Sequence, residues 1–101
     1  MRYRLFVDDE RYPAQEDWII ARSCEEAIAY VRELGMPTHV AFDHDLGGAL
    51  SGYDLALFLT NHALDGNPFP DDFSYSIHSM NPIGRMNIQG LMNSFLREYN
   101  K

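Results

Sequence analysis

The chain has 101 residues, of which 46% are hydrophobic and 23% charged, with 8 basic against 15 acidic residues for a net charge of −7. That length and composition fit one globular domain over residues 1–101 with a real core, and exclude a disordered chain or a disulfide scaffold. The acidic balance excludes a protein that grips long nucleic acid through its phosphates, and one that lies on an anionic membrane surface.

The first element in chain order is Leu5-Phe6-Val7, a short unbroken apolar run that stops at Asp8-Asp9. Shortness and continuity predict a strand buried on both faces. Residues 10–17 read as a loop, because Pro13 interrupts any long helix. Trp18-Ile19-Ile20-Ala21 is a second strand. Ser23 is an N-cap and Glu26 completes a capping box. The helix that follows turns Ala27, Ile28, Val31 and Leu34 to one side and ends at Gly35. Cys24, the only cysteine, falls in its first turn, so neither an intrachain disulfide nor a cysteine-built zinc site is possible.

Val40-Ala41-Phe42 is a third strand, stopping at Asp43-His44-Asp45. After a loop with Gly47-Gly48, Ser51 and Asp54 open a helix that turns Leu55, Ala56, Leu59 and Ala63 inward. Gly66-Asn67-Pro68 and Pro70 break the chain. Phe73 to Ile77 alternates strictly, as a half-buried strand does, and ends at His78-Ser79. Asn81-Pro82 starts a last helix, with Asn as cap and Pro at the first helical position. Its buried stripe is Ile88, Leu91, Met92, Phe95, Leu96 and Tyr99.

Strands alternating with helices predict an α/β domain built on a mostly parallel sheet. The link between the first two strands is only about eight residues, against about a dozen or more for a parallel crossover. Either that crossover is degenerate or the second strand runs antiparallel. The amino terminus turns acidic at Asp8, too soon for a signal peptide, and no apolar run has membrane-spanning length. With a lone thiol, these features predict a cytoplasmic protein.

Three strands end in polar groups: Asp8-Asp9, Asp43-His44-Asp45 and His78-Ser79. In an open parallel sheet the carboxyl ends of the strands form the ligand crevice. Carboxylates gathered there repel one another unless a cation neutralises them, and oxygen ligands favour Mg²⁺ or Mn²⁺ over zinc. His44 and His78 add proton-moving groups. The last helix starts beside His78 and favours an anion at its free amides. Arg11 and Arg85 are guanidinium groups suited to phosphate oxygens. A small phosphorylated ligand or an RNA end fits this set, reached through a bridging metal despite the negative net charge.

Val7-Asp8-Asp9-Glu10 and Phe42-Asp43-His44-Asp45-Leu46 with Ser51-Gly52-Tyr53-Asp54-Leu55 resemble the acidic pair and phosphoacceptor strand of response-regulator receiver domains. That resemblance implies a flavodoxin-like three-layer sandwich, here reduced to about four mostly parallel strands with helices on both faces. It makes Asp8, Asp9 and Asp43 metal ligands and places Asp43 at the phosphoacceptor position. The receiver lysine is missing: the one lysine is Lys101, no fifth strand is visible, and the first receiver helix is a stub at most. Phe6-Val7-Asp8-Asp9-Glu10-Arg11, Ala21-Arg22-Ser23, Phe42 to Gly47, and Ile77-His78-Ser79-Met80-Asn81-Pro82 with Gly84 and Asn87 resemble more closely the cyclic-phosphate-processing receiver family. That resemblance implies a metal-dependent phosphoesterase, with an inert nucleotide sensor or a phosphoacceptor as the alternatives. Its implied site is Asp8, Asp9, Asp43, His44, Asp45, His78, Ser79 and Asn81. In that scheme His44 and His78 move protons, Asp45 orients an imidazole, and Arg11, Arg85, Ser79 and Asn81 hold phosphate.

Overall fold

The computed structural model of the chain describes residues 2–99, so Lys101 lies outside the described residues. The elements are β1 (Arg4–Val7), β2 (Trp18–Ala21), α1 (Cys24–Leu34), β3 (His39–Phe42), α2 (Gly52–Leu64), β4 (Ser74–Ile77) and α3 (Pro82–Tyr99). They form one four-stranded sheet in the order β2-β1-β3-β4, with every neighbouring pair parallel. The α/β fold on a parallel sheet expected from the strand–helix alternation is therefore present, with the strands of the receiver-like domain that the resemblance implies. β2 is parallel to β1, and the segment joining them crosses without a helix. The degenerate crossover, not the antiparallel strand, is the alternative the chain adopts.

The predicted caps form. Ser23 Oγ accepts the Glu26 amide at 3.0 Å, while the Glu26 carboxylate reaches back to the Arg22 amide at 3.2 Å. Ser51 and Asp54 close a full capping box on α2. The side chain of Asn81 accepts the Gly84 amide at 2.9 Å, capping α3. Each such bond satisfies an amide left without a partner in the first turn.

Leu5 and Val7 of β1 and Val40 and Phe42 of β3 are fully buried. They share one core cluster with Ala27 and Val31 of α1, Leu55 and Leu59 of α2, and Ile88 and Met92 of α3. Each fully buried aliphatic or aromatic side chain contributes about 1.5–3 kcal/mol of transfer free energy. The helices touch in series, α1 on α2 and α2 on α3. All three therefore lie on one face of the sheet, and the arrangement has two layers. The expected helices on both faces are corrected on this point. The β1–β2 crossover that would carry a helix to the second face is a loop broken at Pro13, and no further strand or helix follows α3 among the described residues.

The second face presents the alternate residues of the strands: Arg4 and Phe6, Trp18, His39 and Ala41, Ser74 and Ser76. Trp18 meets the rings of Phe6 and His39 edge-on. Cys24 is buried against the helix side, and burial, helped by the charges of Asp54 and Glu25, pushes its thiol up to about 11. No helix among the described residues is long and apolar enough to cross a membrane.

Candidate functional site

The sheet ladder continues one residue past three strands. The Asp8 amide donates to Ala21 O, the Asp43 amide to Val7 O and the His78 amide to Phe42 O, at 3.1, 3.1 and 2.9 Å. Because β3 lies between β1 and β4, these bonds set Asp8, Asp43 and His78 side by side on the carboxyl rim of the sheet. The three side chains offer ligand atoms within 4.8 Å of one another.

Asp8 is the buried member, only 1% exposed. One carboxylate oxygen accepts the amides of Glu10 at 3.0 Å and Arg11 at 2.9 Å. The other faces His78 Nε2 at 3.0 Å. Burial alone would raise its pKa, but the two amides and the imidazole outweigh burial and hold it below the usual carboxylate range. Asp43 goes the other way. Burial and the Asp8 charge push its pKa up, against the opposing pull of His78 and the Ser79 hydroxyl. One carboxylate is thus held charged and its neighbour is driven toward the neutral form, an imbalance that a cation relieves. The donor set of two carboxylates with an imidazole at hand fits a divalent ion.

Asp9 is exposed and outside that trio, but it lines the same cleft, a space of about 300 Å³ shared with Asp8, Asp43, Asp45, Arg11 and Met80. His44 occupies the flank. Its Nδ1 lies 3.0 Å from Asp45 Oδ1, and the Asn81 amide reaches the other Asp45 oxygen at 3.4 Å. The His44 hydrogen bond, more than the weaker one from Asn81, holds the exposed Asp45 carboxyl below its ordinary range. Ser79 is buried, and its hydroxyl accepts the Asn81 amide at 3.1 Å. Arg11 reaches the His78 carbonyl at 3.3 Å and stands 4.0 Å from Asp8 Oδ2. The His44 ring does not line the cleft and meets it only through Asp45, and Arg85 is not brought in at all. The Arg85 guanidinium donates to the carbonyls of Ile77 and Ser79, and it lines a separate groove with Tyr75 and Gln89.

Three contributors carry no chemistry that a sequence displays. Phe6 stacks flat on the His78 ring, with centroids 4.7 Å apart and planes within 3°. Arg22 clamps the loop after β1 by donating to the carbonyls of Asp8 and Arg11. Gly84 lies against the His44 ring, where a Cβ would fall 2.3 Å from the ring carbon Cγ. All three stand within the motifs that carry the family resemblance, which is the signal the sequence offers for them.

The opposed carboxylates predict opposite pH effects in metal-free protein. Asp8, with its pKa depressed by folding, contributes stability above the unfolded value of about 4, and that contribution is lost as pH falls through the folded value. Asp43, with its pKa raised, costs stability once pH rises through the folded value. Asp8→Asn is therefore expected to lower stability near neutrality and flatten the acid limb, and Asp43→Asn to raise stability near neutrality. Urea titrations in chelator across pH about 3 to 7 check both signs.

A family model described as Cyclic-phosphate processing Receiver domain matches residues 3–94. A solved structure of a fusion that carries the yeast Spc42 trimeric coiled coil, amino acids 181–211, is similar with a TM-score of 0.62 and 17% identity, over 97% of this chain and 80% of that one. That likeness concerns the fold. No curated protein matches the chain.

Proposed function

The chain belongs to the cyclic-phosphate processing receiver domain family, and from that premise we propose that it is a metal-dependent phosphoesterase opening a cyclic phosphate, either a 2′,3′-cyclic RNA end or a small cyclic nucleotide. The observation that carries this reading is the convergence of Asp8, Asp43 and His78 within 4.8 Å, in a cleft that also holds Asp45. Asp8 and Asp43 are the residues that would hold Mg²⁺ or Mn²⁺, with Asp9 on the rim. A bound ion supplies Lewis-acid polarisation of a phosphoryl oxygen.

The protein's own groups do the rest. His78, fixed by the Phe6 stack and by Asp8, faces the phosphate from the sheet rim. His44, held by Asp45 at the edge of the cleft, is the second proton-moving group. One imidazole takes the proton of an attacking water as its oxygen bonds to phosphorus. The other gives a proton to the ester oxygen as the ring P–O bond breaks, leaving an open phosphomonoester. Ser79, Asn81 and Arg11 hold the phosphate oxygens. The domain acts in the cytoplasm, where its lone, buried thiol stays reduced.

The test is a panel of cyclic phosphates incubated with Mg²⁺, with Mn²⁺ and with chelator, read by mass spectrometry. The expected result is a metal-dependent gain of one water by at least one compound. Tight binding with the ligand recovered intact would replace the esterase with a sensor. A stable Mg²⁺-dependent adduct on Asp43 from a small phosphodonor would replace it with a phosphoacceptor.

A further inference from the structure

The helix-free face of the sheet carries a slot of about 290 Å³, directly behind His78. Its size follows from sequence. Phe6, Ala41 and Ser76 are register partners across β1, β3 and β4, and two of the three are small. Phe6, Ala41 and Ser76 form the floor, Trp18 and His78 stand at the sides, and Pro13 overhangs it. The overhanging loop is pinned. The Arg4 guanidinium lies over the Trp18 ring at 4.5 Å, donates to Gln15 Oε1 at 3.2 Å, and pairs with Asp17.

The slot and the acidic cleft differ in charge but share a wall. No carboxylate or guanidinium lines the slot, whereas the cleft is lined by five acidic residues and Arg11. His78 joins them, its ring lining the slot and its Nε2 on Asp8. A ligand that fills both is anionic at one end and a flat, uncharged ring at the other. Aromatic walls, with the His39 imidazole on the Ser76 hydroxyl at 3.0 Å and the Gln15 amide at hand, suit a heteroaromatic ring better than an alkyl chain. We propose that this slot is a nucleobase subsite of the phosphate site, taking the single base attached to the cyclic phosphate. The inference rests on the reading of the acidic cleft as the phosphate site and adds the part of the ligand that the cleft does not reach.

Trp18 is the only tryptophan, so its emission reports on the slot. With Mg²⁺ present, adenosine and cytidine 2′,3′-cyclic phosphates are compared with glycerol 1,2-cyclic phosphate, which lacks a base, and with adenosine, which lacks the phosphate. Affinities are taken by calorimetry, and Trp18 emission is read by stopped flow before any turnover. The base is expected to tighten binding about five- to 150-fold over the glycerol compound, and to quench Trp18 saturably. Ala41→Leu fills the floor and is expected to erase that gain and the quenching, with binding of the glycerol compound unchanged. Should Ala41→Leu fail to fold, Ser76→Leu on the exposed side of β4 carries the same test. Equal affinity for base-bearing and base-free compounds, or an unchanged gain in the filled variant, overturns the subsite. If adenosine alone quenches Trp18 and the filled variant abolishes it, while no phosphate compound responds to Asp8→Asn, the slot stands and the phosphate reading falls. If the glycerol compound binds with Mg²⁺ and responds to Asp8→Asn without any gain from a base, the slot falls and the phosphate reading stands.

Discussion

Replacing His78 or His44 with alanine is expected to cut turnover of a cyclic phosphate by about 10²–10⁴-fold each, with the fold retained. The case for His78 is geometric. Its ring is sandwiched on Phe6, and its Nε2 is 3.0 Å from a carboxylate that is itself fixed by two amides. In the alanine variant Asp8 keeps both amides, so the buried carboxylate is not orphaned and the stability cost is about 1–3 kcal/mol. His44 sits on the flank and its removal opens a space beside Gly84, which costs packing but strands no buried charge. If one imidazole acts as base and the other as acid, the pH dependence of kcat/KM is two-limbed, and each variant loses one limb. His78→Gln sharpens the test, because an amide can still donate to Asp8 while carrying no proton between groups. Near-wild-type rates in both alanine variants on a confirmed substrate would end the acid–base assignment.

How much of this was readable beforehand depends on the range of the interaction. Caps and strand ends are local, and Ser51 with Asp54, Asn81 with Pro82 and the three polar strand stops are all written in neighbouring residues. The direction of β2 was not legible. A crossover this short is unusual in a parallel pair, and only the pairing of Arg4 with Trp18 through Val7 with Ala21 settles it. The placement of all three helices on one face was equally hidden, since a helix's apolar stripe says that it packs, not on which side of the sheet. Alternation in β4 did carry a trace of the open face, because Ser74 and Ser76 are exposed between half-buried Tyr75 and Ile77.

The same distinction explains the site. That Asp8, Asp43 and His78 belong together follows from strand ends meeting in a parallel sheet, and the fold delivers it. That Asp9 stands outside the 4.8 Å group while His78 stands inside does not follow, because it depends on how the turn after β1 is drawn back by Asp8. From its position in the first turn of α3, Arg85 reads as a phosphate ligand. It turns toward the carbonyls of Ile77 and Ser79 instead, where it satisfies acceptors at the end of β4.

Gly84→Ala is expected to lower turnover nearly as far as His44→Ala, although it touches no reacting atom. The substituted Cβ would sit 2.3 Å from His44 Cγ, 2.6 Å from Cδ2 and 2.7 Å from Cβ, so the imidazole must leave its place against α3 and with it the Asp45 contact. Two stability effects compete. Alanine gains about 0.8–1 kcal/mol over glycine within a helix, and overpacking costs about 1–3 kcal/mol. Gly90 isolates the first effect, since it lies exposed in the same helix with open space where its Cβ would go. Gly90→Ala should stabilise and leave the rate alone. In the His44→Ala background the two ring collisions are gone and only the 2.7 Å approach of Cβ remains, so Gly84→Ala should there cost less stability than in the parent chain and no further activity. The double-mutant cycle for His44 and Gly84 is expected to give a coupling of about 1–3 kcal/mol in stability. Additive effects in that cycle, or full turnover in Gly84→Ala alone, would mean that the glycine is not what seats the imidazole.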